Sequence, residues 1–234
     1  IRGCQKMISI LCPVYNEISF IEEALTRLLQ DLESCSDEYE VLVIDNCSTD
    51  GTESFLRNHS HENVHNIFNE KNIGKGGSVQ KGIKHASGDI IAIFDLDLEY
   101  DSKDLVRILN SFDDLNSSLV LGSRRINQKI YLYYTYYLGN VFLTKIINLF
   151  FRSKISDAAT AIKVMKKNIF ENIDLQNNGF ALDFEIVCKI LKTNSDVSEV
   201  PITYSPRSKA EGKKIRAISD GLSSLIVIIK ARFF

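Results

Sequence analysis

Proline is scarce in this sequence: three residues in 234, at positions 13, 201 and 206. With no proline-rich, repetitive or low-complexity stretch there is no linker, so residues 1–234 read as a single domain. Cysteine is sparse and unpatterned. The five, at 4, 12, 35, 47 and 188, are odd in number and show no Cys-x-x-Cys spacing. That argues against a disulfide framework and a zinc site, and points to a reducing compartment. Cys12 and Cys188 lie in apolar patterns that suit a core. Excess charge is also missing. Net charge is −2, so no basic field speaks for a nucleic-acid partner. Long apolar runs are absent too. None reaches the roughly 18 clean residues of a membrane-spanning helix. The nearest, residues 130–151, is interrupted by Asn140, Lys145 and Asn148. No leader-peptide pattern is visible.

What the chain does have is an ordinary globular balance, 44% hydrophobic and 25% charged, enough for a sizeable core. Its central stretch is Gly88-Asp89-Ile90-Ile91-Ala92-Ile93-Phe94-Asp95-Leu96-Asp97-Leu98-Glu99-Tyr100-Asp101. Residues 90–94 form a continuous apolar run, as an interior strand requires. The run ends in Asp95, Asp97 and Glu99. If the chain stays extended, residues two apart point the same way, and three carboxylates gather at the carboxyl end of a central strand. Ligands of open α/β sheets bind there. Three anions so close repel unless a cation neutralises them, and a hard divalent ion with oxygen ligands is the natural one. An acid-rich loop after a strand is also commonly a solvated turn, so the rest of the chain has to decide.

In chain order, residues 7–12 read as a strand broken by Pro13. Ser19 and Glu22 have the spacing of a capping box for a helix to residue 32. Residues 40–44 are a second strand, closed by the polar turn 45–52. A short helix to residue 57 comes next, then a strand at 64–68. The glycine loop 69–77 leads into a helix over 78–85. Beyond the acidic strand, Ser102 can cap a helix to 115, and 118–122 is a fifth strand. This alternation predicts an α/β architecture: a single doubly wound, mostly parallel (mixed) sheet with helices on both faces.

Several segments admit two readings. Asn72-Ile73-Gly74-Lys75-Gly76-Gly77 fits no standard phosphate motif, yet it offers a Lys and backbone N–H groups at a helix start, which favours anions. His59, His61 and His65 fall in a polar connection and suit a solvated loop better than a metal cluster. Residues 130–151 hold five of the nine tyrosines and three phenylalanines. They suit a core helix pair or an element lying in a membrane interface. Residues 179–185 open a helix to 191, and 197–204 is a last strand. Arg207, Lys209, Lys213, Lys214 and Arg216 form either a solvated charge run or a cationic wall for phosphates. Residues 218–234 are an amphipathic closing helix.

Taken together, these segments resemble the GT-A glycosyltransferases of family 2, in particular the dolichol-phosphate mannose synthase and dolichyl-phosphate glucosyltransferase branch. Cys12-Pro13-Val14-Tyr15-Asn16-Glu17 is similar to the family's Pro-x-Tyr-Asn-Glu. Residues 45–52 resemble Asp-Asp-x-Ser-x-Asp-Gly-Thr, and 72–77 the Asn-x-Gly-Lys-Gly loop. Asp95-Leu96-Asp97-Leu98-Glu99 matches the metal motif, and Gly122-Ser123-Arg124 matches Gly-Ser-Arg. Later blocks match at 157–163, at 179–185, and at Val200-Pro201-Ile202 with Tyr204 and Arg207. The resemblance covers nearly the whole chain. Asn46 replaces the second Asp of the pair, Glu99 stands where Gln is usual, Ala161 where Gly is usual, and Ile162 where an aromatic is usual.

The resemblance implies roles. Pro13, Tyr15, Glu17 and Asp45 would hold the base and ribose of a nucleotide-sugar such as GDP-mannose or a UDP-sugar. Lys75 and Leu96 would lie beside it. Asp95, Asp97 and Glu99 would bind Mg²⁺ or Mn²⁺ at the diphosphate. Arg124 and Arg207 would meet phosphate charge. The implied reaction is inverting transfer to a polyprenyl (dolichyl or undecaprenyl) phosphate by a protein lying peripherally on the cytoplasmic, inner face of the membrane. A phosphate acceptor is already anionic near pH 7 and needs no strong base. A sugar hydroxyl in polysaccharide synthesis would need one, and Asp183 and Glu185 are the candidates. A non-catalytic nucleotide-sugar binding module is the reading from another class, against which the intact acidic motif argues.

Overall fold

The computed structural model describes residues 6–126, 134–208 and 217–234. The first half runs β1 (Met7–Val14), α1 (Ile21–Leu32), β2 (Glu38–Asp45), α2 (Thr52–Asn58), β3 (Val64–Phe68), α3 (Gly74–His85), β4 (Ile90–Ile93) and α4 (Ser102–Ser111). The second runs β5 (Leu119–Ser123), α5 (Tyr134–Phe151), β6 (Lys163–Lys166), α6 (Lys167–Asn172), α7 (Leu182–Lys192), β7 (Val197–Pro201) and α8 (Ala217–Phe233).

β1 and β4 are apolar on both sides, and such strands belong in the middle of a sheet covered on both faces. They lie side by side there, in a seven-stranded sheet of order β3-β2-β1-β4-β6-β5-β7. All neighbours are parallel except β6, which runs antiparallel between β4 and β5. One apolar layer joins the sheet to α1, α2 and α4. The other joins it to α3, α5, α6, α7 and α8. The expected mixed, doubly wound sheet is what forms.

Several local expectations change. Asp101, not Ser102, caps α4 by accepting from Lys103 N, and α3 begins at Gly74 rather than at 78. Pro13 does not break β1, which runs on to Val14. Val14 O accepts from Asn46 N on the β2 side, so position 13 faces β4, and β4 pairs only as far as Leu11. The missing proline N–H therefore opens no gap in the ladder. The Ser19–Glu22 capping box does not form. Helix α1 starts at Ile21 without a side-chain cap, because Glu17 O accepts from the N–H groups of Phe20 and Ile21. Most consequentially, β4 ends at Ile93 and residues 94–99 turn rather than extend, with Leu98 at φ 62°. The strict two-residue alternation of Asp95, Asp97 and Glu99 is lost with it.

Candidate active site

The carboxyl ends of β1, β2 and β4 meet at a cavity of about 540 Å³. Pro13, Val14, Tyr15 and Glu17 line it from the end of β1, and Asn46 from the end of β2. Asn72 lines it from the loop before α3, Gly74 and Lys75 from α3 itself, and Asp95, Leu96, Asp97, Glu99 and Tyr100 from the acidic loop. Arg124, Phe180, Asp183, Tyr204 and Arg207 close the far side. Eleven of the expected site residues are thus brought to one cavity wall: Pro13, Tyr15, Glu17, Lys75, Asp95, Leu96, Asp97, Glu99, Arg124, Asp183 and Arg207.

Two are not. Asp45 is fully buried behind the wall. Its Oδ2 accepts from Ser48 N at 3.1 Å, while Oδ1 is buried without a partner. Glu185 also points away. Residues two apart on a helix are separated by roughly 200°, so Asp183 and Glu185 cannot face the same space. Glu185 instead accepts from the backbone N–H groups of Gln176 and Asn177 and pairs with Lys189 at 3.0 Å. It shapes a turn and is not placed to act as a base.

That turn explains the glycines of α3. A Cβ on Gly74 would lie 2.1 Å from Asn178 O, and one on Gly76 would lie 2.2 Å from Asn177 O. Gly74 also sits at φ 79°. Close backbone approach therefore requires them. The phosphate-loop expectation weakens accordingly, since Gly77 N–H is given to Asn178 O and Gly74 N–H to Asn72 Oδ1. Lys75 crosses the cavity instead, to Asp95 Oδ2 at 2.8 Å. Its neighbouring carboxylates, Asp183 foremost, hold its pKa above the ordinary lysine value against burial, which acts to lower it. Asn46, the departure from the usual Asp, ties β2 to this region by donating to Asn72 Oδ1 at 2.9 Å and accepting from Ile73 N at 2.8 Å.

The acidic loop is neutralised from two sides. Arg207 bridges Glu17 Oε2 at 2.7 Å and Asp97 Oδ2 at 2.8 Å, and stacks on Phe20. Glu99 accepts from Tyr204 Oη at 2.7 Å and from Arg207 N at 2.8 Å. Burial first, and then the Asp95 carboxylate, push the pKa of Asp97 up to about 7, against the pull of Arg207. Among the described residues, no group of three or more His, Cys, Asp or Glu side chains is arranged to hold a metal. Asp95 nevertheless fits one, and Asp97 does once Arg207 leaves its Oδ2. Asp95 Oδ1 is buried and unpartnered, and an all-oxygen donor set suits Mg²⁺ or Mn²⁺. Glu99 does not fit as the third ligand, because the turn at Leu98 hands its oxygens to the segment 204–207.

At the opposite end, Arg124 forms a fork on fully buried Asp157, with Nε to Oδ2 at 2.7 Å and Nη2 to Oδ1 at 2.8 Å. Asn140 of α5 donates to the same Oδ1 at 2.7 Å, and Tyr100 Oη accepts from Arg124 Nη1 at 3.2 Å. Sequence reasoning missed Tyr100 and Asn140, which carry no local signal. It also missed the role of Lys163, although a lysine inside the apolar run Ile162-Lys163-Val164-Met165 is a visible anomaly. Lys209, Lys213, Lys214 and Arg216 of the expected cationic wall lie outside the described residues, as does the first part of residues 130–151. The rest of that segment is α5, which buries Leu143, Thr144 and Ile147 and exposes Tyr134, Leu138, Phe142 and Leu149. Helix α8 beside it exposes Leu222, Ile226, Ile229 and Phe233. No described helix is long and apolar enough to cross a membrane.

This arrangement defines a class: an α/β domain with an acidic cleft at the carboxyl ends of central strands, in the GT-A architecture. Glucosyl-3-phosphoglycerate synthase from Mycobacterium tuberculosis, solved with Mn²⁺, uridine diphosphate and phosphoglyceric acid, superposes with a TM-score of 0.73 at 14% identity, over 98% of this chain and 79% of that one. The same enzyme with Mg²⁺ and uridine diphosphate gives 0.70 at 14% identity, over 97% and 79%. At that identity the likeness concerns the fold. The Glycosyl transferase family 2 model matches residues 9–174, and the chain belongs to that family as a glycosyltransferase domain. A dolichol-phosphate mannosyltransferase of Pyrococcus furiosus is 28% identical over 88% of this chain and 58% of its own length. The low-salt glycan biosynthesis hexosyltransferase Agl6 of Haloferax volcanii is 27% identical over 86% and 48%. The chain thus spans about half the length of these curated relatives.

Proposed function

We propose that this domain transfers a sugar, with inversion, from a nucleotide-sugar to a polyprenyl phosphate at the cytoplasmic surface of a membrane. One observation carries the acceptor: the end of the cavity that presents Arg124 is tied through Asp157 and Asn140 to α5, whose exposed outer row sets Tyr134, Leu138, Phe142 and Leu149 around the exposed Lys145. A guanidinium beside an apolar surface suits a phosphate carried on a hydrocarbon chain. The name of one curated relative, a dolichol-phosphate mannosyltransferase, supports the same class of acceptor.

In this reading Pro13, Tyr15 and Asn46 form the nucleotide wall. Asp45, behind this wall, holds the turn after β2 by accepting from Ser48 N and does not itself touch the base. Asp95 and Asp97 hold Mg²⁺ or Mn²⁺, which supplies charge stabilisation to the departing diphosphate. Arg207, released from Asp97, faces phosphate. Arg124, locked on Asp157, receives the acceptor phosphate and aligns its oxygen behind the anomeric carbon. That oxygen arrives deprotonated, so no carboxylate base is needed. Asp97→Asn is expected to weaken metal-supported nucleotide binding at least about tenfold, roughly 1.4 kcal/mol. Calorimetry showing equal affinity with and without Mn²⁺ in the wild-type chain would refute the metal assignment.

A sugar hydroxyl as acceptor keeps one supporting observation, the presence of Asp183 on the cavity wall. The experiment that separates the two offers a panel of nucleotide-sugars with prenyl phosphate in anionic vesicles, and separately with free sugars. Flotation of the protein with the vesicles and turnover only on the phosphate are expected. Turnover on free sugars alone, abolished by Asp183→Asn, would replace this reading with a polysaccharide transferase.

A further inference from the structure

Lys163 is fully buried, the bulkiest side chain among the described residues to be so. It sits on β6, paired with Ile93 of β4 and Leu121 of β5, among the apolar side chains of one sheet face. Its Nζ donates to Thr160 O and lies 2.6 Å from Asp183 Oδ1. Asp183 Oδ2 in turn lies 3.7 Å from Lys75 Nζ, and Lys75 lies 2.8 Å from Asp95. Charges therefore alternate in a row, Lys163–Asp183–Lys75–Asp95, from the core to the cavity wall.

Stability does not account for this row. Removing two charges from water costs several kcal/mol each, and an apolar pair of similar volume serves a core as well or better. Burial pulls the pKa of Lys163 down, and the Asp183 carboxylate is the main force against that. Of the two ends, one is closed in the core and the other opens on the cavity. We infer that Lys163 is a positioning residue: it fixes Asp183 Oδ1 so that Oδ2 is presented to the cavity as a hydrogen-bond acceptor for hydroxyl groups of the transferred sugar. The inference rests on the glycosyltransferase reading above and deepens it. Asp183 shares Lys75 with Asp95 on the cavity wall, one ion pair away from the place this reading gives the diphosphate, and the sugar is the group attached there. A carboxylate held at one oxygen accepts from a hydroxyl in one orientation, which a freely rotating one does not.

Titration calorimetry with Mn²⁺ tests this on the wild-type chain, Lys163→Met, Lys163→Arg, Asp183→Asn and the double variant Lys163→Met/Asp183→Asn. The ligands are UDP- and GDP-sugars and the matching diphosphates. Lys163→Met is expected to raise the ratio of nucleotide-sugar to diphosphate dissociation constants at least about tenfold, roughly 1.4 kcal/mol, with diphosphate affinity little changed. The double variant should match Asp183→Asn alone, because Lys163 acts only through Asp183. Equal weakening of both ligands would mark a structural role and overturn the inference, as would unchanged ratios or a further tenfold loss in the double variant. If Lys163→Met does not fold, Lys163→Arg keeps the core charge but moves it, and should raise the same ratio. The double variant leaves no unpaired charge, so its failure to fold would also overturn the inference. A wild-type chain that binds no nucleotide overturns the functional reading and this inference together. A wild type that binds while the variants are unchanged overturns the inference alone.

Discussion

Replacing Asp157 by Asn is expected to destabilise the domain by about 3–5 kcal/mol, the usual cost of removing one partner of a buried ion pair. Asp157 is fully buried and accepts from Arg124 Nε, Nη2 and backbone N and from Asn140. An amide there would turn an N–H donor toward donors. For a domain of this size the loss corresponds to roughly 10 °C in Tm. The pH dependence has a definite sign. Burial by itself pushes the Asp157 carboxyl up, but the Arg124 guanidinium and the surrounding hydrogen bonds outweigh it and hold it below the ordinary aspartate value. A depressed folded-state pKa contributes stability that is fully present above the unfolded value, about 4, and is lost as pH falls through the folded one. Calorimetric scans should therefore find the wild-type advantage complete at neutral pH and shrinking below about pH 4. A gap that is equally wide in acid, or absent at pH 7, contradicts the pairing.

Much of this fold is open to sequence reasoning because its strands announce themselves locally. The run Ile90-Ile91-Ala92-Ile93 can only be an interior strand, and the acids directly after it can only lie at the ligand end of the sheet. Tyr15, Asp95 and Arg124, cleft residues that the sequence makes visible, sit just after β1, β4 and β5. The expectations that fail depend on contacts that no window of sequence contains. Arg207 and Glu17 are 190 positions apart, and their pairing closes the cavity. Glu99 reads as a metal ligand only if the chain stays extended. The turn at Leu98 and the hydroxyl of Tyr204, 105 positions later, decide otherwise. Glu185 shares a short motif with Asp183 but not its side of the helix. The glycines of the loop 72–77 look like a phosphate cradle, yet the backbone at 177–178 accounts for them. Lys163 is the instructive omission. A charge in an apolar strand conflicts locally with the fold around it, and such conflicts mark functional positions.

Arg207→Ala is expected to cut turnover with a prenyl phosphate acceptor by about 10²–10⁴-fold. Two charge-assisted hydrogen bonds to phosphate, each contributing about 1.5–3 kcal/mol, amount to that at roughly 1.36 kcal/mol per decade. The same variant should shift cation binding in the opposite direction. In the wild-type chain Arg207 occupies Asp97 Oδ2 and Glu17, so a divalent ion must compete with a guanidinium for Asp97. Two like charges about 4 Å apart repel by roughly 4 kcal/mol at the effective dielectric of a protein surface. Removing one should strengthen Mn²⁺ binding without nucleotide at least about tenfold, roughly 1.4 kcal/mol. It also leaves Glu17, Asp97 and Glu99 without their shared cation, so Mn²⁺ should raise the Tm of the variant more than that of the wild type. Turnover down while cation affinity rises is a pattern that simple misfolding does not produce, since a damaged cleft loses both. If Arg207→Ala weakens Mn²⁺ binding along with turnover, Arg207 supports the cation site rather than competing for it, and its assignment to phosphate falls.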